Sequence, residues 1–169
     1  MPEESGPPLP AATPCVRLRF SPSLRDVLIE IVGRVHAAQA AAPEKPSAPL
    51  PVPGELPDPE LQAAWAEGLR EREEYDTRAL LALVMNQQFG LADLPLAPAA
   101  AEALARASVR VRLYLRETVL RDLNSTEVDG DLDVFSLPPV EQQGYACFRL
   151  LAHLEEDLIL QLDSGLTKS

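Results

Sequence analysis

The sequence predicts an all-α protein, a bundle of four principal helices, and two observations support this. Four stretches place apolar residues three and four positions apart, the spacing that gives a helix one apolar face. Prolines, glycines and short polar residues stand where these stretches begin and end. The chain has 169 residues, of which 46% are hydrophobic and 24% charged, enough for one core. We therefore expect a single bundle domain over residues 21–165.

A proline-rich arm precedes the first helix. Residues 1–14 are rich in Pro, Glu and Ala and offer too few apolar side chains to become ordered alone. We therefore predict that residues 1–20 form a flexible arm that closes with a short extended segment at 16–20. Ser21 suits the N-cap position and Pro22 the first helical position, so the first helix is predicted to begin there.

The second helix is preceded by a proline-rich linker, residues 43–57, whose prolines favour an extended chain within the domain. Asp58 is a suitable N-cap with Pro59 after it, and Gly90 is the type of residue that follows a helix end. The sequence therefore predicts the second helix between Asp58 and Gly90.

The third helix is predicted from Pro98 to about Asn124, and the fourth from Pro138 and Pro139 onward. The third is apolar over more than half of its circumference, as expected for a helix with several neighbours, so we place it at the centre. Its apolar residues form two lobes: Leu104, Ser108, Val111, Leu115 and Val119 in the first, and Val109, Leu113 and Leu120 in the second.

The charge balance restricts the partners. A net charge of -11 and a pI near 4.6 argue against nucleic acid and anionic membrane surfaces, because both bind basic footprints. Basic or apolar partners suit this charge better. No apolar run approaches the length of about 18 to 20 residues that spans a bilayer, and no secretory signal is visible. We expect a cytoplasmic protein.

Four charged residues fall within or beside stripes that are otherwise apolar. Asp76 lies in the stripe of the second helix, Arg112 and Arg116 lie between the two lobes of the third, and Glu155 lies inside the stripe of the last. Because a buried charge is costly unless it is paired, these positions predict a buried ion-pair cluster. We expect Asp76 to bind Arg112, Arg116 or both, with Glu155 completing the cluster.

Two interpretations of this predicted cluster stay open. It could be a structural network that fixes the register of the helices. It could also be a site for an anion or an acidic peptide, bound by the two arginines, because ionisable groups in a core sometimes mark functional sites.

Other chemical sites are not supported by the residue spacing. Neither His36 nor His153 completes the Glu-x-x-His motif of di-iron bundles, and the acidic loop at 129–133 lacks the glycine and the final acidic residue of a calcium loop. Cys15 and Cys147 have no metal-binding spacing, and Cys147 is expected in the core. We therefore predict no catalytic residue, no metal and no cofactor.

Part of the chain resembles a known family. The segment Asp-Pro-Glu-Leu at 58–61, the pair Trp65 and Leu69, the arginine-rich stretch 103–116 and the closing helix 148–162 resemble an uncharacterised family of small bacterial proteins, a domain of unknown function. The resemblance implies a cytoplasmic, non-enzymatic helical protein. Because family members are often encoded beside the adaptor of the Clp protease in actinobacteria, it also implies a regulatory role linked to proteolysis. The proline-rich insertion at 42–57 departs from the family pattern.

Together these observations predict a regulatory protein that binds another protein and carries out no reaction. The alternative is a small-molecule-binding or anion-binding bundle, or an enzyme, that uses the charged cluster. A homodimer is a further expectation, because Ile29 and Leu160 are apolar residues outside the main stripes of their helices.

Overall fold

The structure, a computed structural model, describes residues 13–41, 58–123 and 132–166. Its four helices are α1 (Pro22–Ala41), α2 (Pro59–Met85), α3 (Pro98–Glu117) and α4 (Pro139–Leu166), and a single 3-10 turn, Val134–Ser136, precedes α4. Two short strands, β1 (Cys15–Val16) and β2 (Leu94–Pro95), pair in antiparallel fashion. The predicted all-α bundle is confirmed, while residues 1–12 and the predicted linker at 43–57 lie outside the described residues.

The central position belongs to α3, which packs against α1, α2 and α4. Its buried face is built largely from small side chains and aliphatic side chains, which allow close approach of the neighbouring helices: Ala101, Ala103, Leu104, Ala107, Ser108, Val111 and Leu115. The buried hydroxyl of Ser108 donates to the carbonyl of Leu104 at 2.8 Å, so no polar atom of this side chain is left unsatisfied. The first predicted lobe of this helix is therefore the one that forms the core.

Two helices end earlier than predicted. α2 ends at Met85, because Asn86 adopts an extended conformation and the chain continues through a turn to Gly90. Gly90 has a positive φ of 86°, and a Cβ atom there would lie 2.9 Å from the ring of Phe20, so glycine is required by this turn rather than by the helix end. α3 ends at Glu117 rather than near Asn124.

The segment before α1 is attached to the bundle at β1. The carbonyl of Pro14 accepts a hydrogen bond from the amide of Leu96 at 2.7 Å. The side chain of Gln161 in α4 accepts from the amide of Cys15 at 2.7 Å and donates to its carbonyl at 3.0 Å. Val16 is buried. Pro14, which the sequence assigned to the flexible arm, is thus held on the bundle.

Close packing of α4 against the end of α3 depends on Gly144. This glycine is buried, and a Cβ atom there would lie 2.5 Å from a methyl carbon of Val119. Gly33 in α1 is a matched helical glycine whose Cβ would meet nothing within 4 Å. The two positions separate the steric effect of a methyl group from its effect on helix propensity.

We expect Gly144→Ala to lower the free energy of unfolding by about 1 to 2 kcal/mol, because overpacking outweighs the gain in helix propensity. Gly33→Ala should raise it by up to about 1 kcal/mol. Adding Val119→Ala to Gly144→Ala should recover part of the loss. Urea denaturation of the four proteins tests this, and a stabilised Gly144→Ala would show that the two helices are not in close contact there.

Candidate functional site

A bidentate ion pair joins α2 to α3 through Asp76 and Arg106. The Nε of Arg106 donates to Oδ2 of Asp76 at 2.8 Å, and its Nη2 donates to Oδ1 at 2.9 Å, which is a bidentate arrangement. The side chain of Asp76 is 6% exposed, whereas that of Arg106 is 43% exposed. The hydrogen bond to Asp76 raises the pKa of the Arg106 guanidinium above its ordinary value. The cation therefore neutralises a buried carboxylate while it stays in contact with water.

This pairing corrects the predicted cluster. The prediction that Asp76 binds Arg112 or Arg116 is wrong, because Arg106 occupies both oxygens of the carboxylate. The spacing of Glu102 and Arg106, four residues apart, predicts that Arg106 lies on the solvent side of α3 beside Glu102, and the two side chains are 3.7 Å apart. The long aliphatic stem of Arg106 lets the guanidinium reach inward from that position. One turn later, Arg110 forms a second ion pair with α2, at Glu73.

Two residues of the predicted cluster, Arg112 and Glu155, are in contact. Nη1 of Arg112 donates to Oε2 of Glu155 at 2.6 Å, and this pair joins α3 to α4. The guanidinium carbon lies 4.6 Å from the centre of the Phe148 ring, within the range of a cation–π contact. The four predicted site residues are thus not one cluster, because Asp76 is bound separately by Arg106.

Two arginine nitrogens on α3 have no acceptor. Nε of Arg112 and Nη1 of Arg116 are shielded from solvent and form no hydrogen bond. Arg116 forms no ion pair with any carboxylate in the described ranges. A shielded donor without a partner typically costs about 1 to 3 kcal/mol.

The second predicted lobe of α3 is not core. Val109 and Leu113 are 40% and 57% exposed, although Leu120 is buried. Across the surface on α4, Ile159 and Leu160 are 43% and 60% exposed. The helical wheel places Val109 and Leu113 on an apolar face, which we interpreted as buried. None of the described helices covers them.

A shallow furrow runs between α3 and α4 along Val109, Ile159 and Leu160. It comprises two adjoining depressions of about 380 and 350 Å³ that share Glu155 and Ile159. We call this feature the α3–α4 furrow, and its other lining residues are Glu102, Ala105, Arg106, Val109, Arg112, Ala152, Glu156, Leu160 and Leu162. The surface combines apolar side chains with charges of both signs, which is typical of protein-binding surfaces.

Cys147 is a buried residue of the core. Burial raises the pKa of the Cys147 thiol to about 12, so this side chain is a protonated core residue at neutral pH. Among the residues that the structure describes, no three His, Cys, Asp or Glu side chains converge in a way that would hold a metal ion. Within the same part of the chain, no helix is long and apolar enough to cross a membrane.

Comparison of this chain with protein-family models, with curated proteins and with solved structures gives no match. The functional argument therefore depends on the arrangement of side chains described above.

The asymmetric exposure of the Asp76–Arg106 pair leads to a testable prediction. Arg106→Ala should lower the free energy of unfolding by about 3 kcal/mol, because it leaves a buried carboxylate without a partner. Asp76→Ala should cost less, because the half-exposed arginine can turn to water. The double variant should lose less than the sum of the two single losses.

Urea denaturation of the four proteins gives the coupling free energy. Arg121→Ala is the control. Arg121 is an exposed arginine in the turn that follows α3, and it lies 3.9 Å from Asp122, which is also exposed. This variant should change stability by less than about 0.5 kcal/mol. Strictly additive losses would contradict the bidentate pair.

Proposed function

We propose that this protein acts by binding an acidic amphipathic helix of another protein in the α3–α4 furrow, without carrying out a reaction itself. The observation that carries the proposal is the combination of exposed apolar side chains with two arginines, Arg106 and Arg112, in one shallow furrow between α3 and α4. A bundle that only had to be stable would not need either feature at this position.

The apolar part of the furrow supports a helical partner. Val109 lines the furrow on α3, while Ile159 and Leu160 line it on the adjacent α4, and all three are exposed. Two antiparallel helices leave a groove in which a third helix can pack with its apolar side chains at spacings of three and four. The furrow is shallow, and this suits a helix better than an enclosed small molecule.

The charged part of the furrow supports an acidic partner, in spite of the negative net charge of the chain. Arg106 and Arg112 line the furrow, and their side chains are 43% and 27% exposed. A partner carboxylate beside the apolar anchors would accept hydrogen bonds from these guanidinium groups. Positive charge at the binding surface attracts acidic segments locally even when the whole protein is acidic, because salt limits the range of the other charges to about 8 to 10 Å.

A role as a regulatory binding protein agrees with what the family resemblance implies, and regulated proteolysis is the setting that the resemblance suggests for it. A cytoplasmic location is part of the same proposal.

The test is the selection of peptides of helical length from a random library on the intact protein. Enriched peptides should show apolar residues at positions i, i+3 or i+4, and i+7, together with at least one Asp or Glu. Their affinity should fall by at least tenfold for Leu160→Glu and for Arg112→Ala, since an apolar anchor and a charge-assisted hydrogen bond are each worth about 1.4 kcal/mol or more.

The matched control is Leu91→Glu, because Leu91 is 57% exposed, close to the 60% of Leu160, and lies outside the furrow. This variant should retain full affinity. If the enriched peptides bind all three variants equally, or if no peptide is enriched, the furrow is not a protein-binding site. Calorimetry with inorganic phosphate examines the alternative, and phosphate binding that is lost in Arg112→Ala, without peptide enrichment, would replace the proposal with a small-anion site.

A further inference from the structure

The N-terminal half of α2 lies largely outside the core of the bundle. Asp76 is the first buried residue of this helix, and no residue of the segment 59–75 is buried. A helical segment of this length extends about 25 Å. Isolated helices of this size are marginal in water, so a partner that covers this segment would add to its stability.

The surface of this segment has the pattern of an interface helix. The face that buries Asp76, Leu80 and Leu83 in the core continues towards the N-terminus as Leu61, Trp65 and Leu69. Leu61 is 54% exposed and Trp65 is 48% exposed. An exposed tryptophan within an apolar stripe is typical of binding hot spots rather than of free surface.

Gly68 lies beside this stripe and allows another helix to approach closely. A Cβ atom at Gly68 would meet nothing within 4 Å, so the space in front of its backbone is open. Glycine within a helix lowers its stability by about 1 kcal/mol relative to alanine. In an interface, the same position provides a shallow recess that fits a large side chain.

We propose that the segment 59–75 binds the same segment of a second copy of this chain, with the two helices antiparallel. An antiparallel pair with a two-fold axis near residues 66 and 67 places Trp65 of each copy over Gly68 of the other. It also places Leu61 against the aliphatic stem of Arg72. The apolar stripe of each copy is then covered by that of the other.

Charge complementarity selects this orientation. Arg72 is exposed and forms no ion pair within the described ranges. In the antiparallel pair it lies beside the first turn of the other copy, which carries Asp58 and Glu60. In a parallel pair, Arg72 would instead face Arg72 of the other copy. Opposite charges across the interface therefore favour the antiparallel arrangement.

The negative net charge of -11 is compatible with a pair of this kind. Antiparallel helices place the two bundles at opposite ends of the paired segments, farther apart than the screening distance of about 8 to 10 Å at physiological salt. The repulsion between the two acidic bundles is therefore largely screened, whereas the contacts along the stripe are short-range.

Sedimentation equilibrium of the full chain tests the proposal. Over a dilution series up to millimolar concentration, the mass should rise from the 18.4 kDa of one chain to twice that value. Trp65→Glu and Leu61→Glu should shift the dimerisation constant at least tenfold towards monomer. Leu91→Glu, an equally exposed apolar residue outside α2, should leave it unchanged.

A monomer at every concentration, or a dimer that persists unchanged in Trp65→Glu, would overturn the proposal. Leu160→Glu, a furrow variant, should also remain dimeric, so failure of this proposal is distinguishable from failure of the α3–α4 furrow.

Crosslinking with a short bismaleimide determines the orientation, in a Cys15→Ser background that leaves only the buried Cys147. Gly68→Cys lies close to the two-fold axis and should crosslink efficiently. Leu61→Cys should not, because the two copies of this residue are about 16 Å apart along the antiparallel axes. Crosslinking of both variants would indicate a parallel pair and overturn the orientation.

Discussion

The ion pair between Asp76 and Arg106 fixes the point at which α2 enters the core. On the C-terminal side of Asp76, α2 buries Thr77, Leu80 and Val84, and on the N-terminal side it buries nothing. A carboxylate is tolerated at this boundary because Arg106 of α3 binds it through two hydrogen bonds. The side chain of Arg106 stays at the surface, so only one of the two charges is removed from water. A shift of α2 by one turn would break both hydrogen bonds, and the pair therefore fixes the register of α2 on α3.

The same central helix distributes its arginines between two neighbours. Arg106 and Arg110 bind carboxylates of α2, whereas Arg112 binds Glu155 of α4. The remaining outer surface of α3 carries exposed apolar side chains and the unpaired Arg116. The ion pairs that hold α3 in place thus leave one of its faces uncovered, and the proposed binding role follows from that face.

Much of the fold could be predicted from the sequence, but less of the site could. The helix starts at Pro22, Pro59, Pro98 and Pro139 follow from local backbone chemistry, which needs no knowledge of the neighbours. The predicted end of α2 is wrong because Gly90 belongs to a turn that packs on Phe20, beyond the end of the helix. A helical wheel gives the direction of a side chain but not the neighbour that it meets, nor how far a flexible arginine reaches. For that reason Arg106 was assigned to solvent, and Val109 and Leu113 to the core.

Amide hydrogen exchange along α2 tests most directly whether the Asp76–Arg106 pair fixes the entry of this helix into the core. In the wild-type protein, the amides of residues 77–84 should be as well protected as the buried face of α3, since both open only with global unfolding. In Arg106→Gln, the unpaired carboxylate of Asp76 should make the first buried turn of α2 open to water, so the amides of residues 76–80 should exchange much faster than those of α3. The control variant, Glu102→Gln, should have no such effect. If protection in Arg106→Gln falls equally in α2 and α3, the pair contributes only to overall stability and does not fix where α2 enters the core.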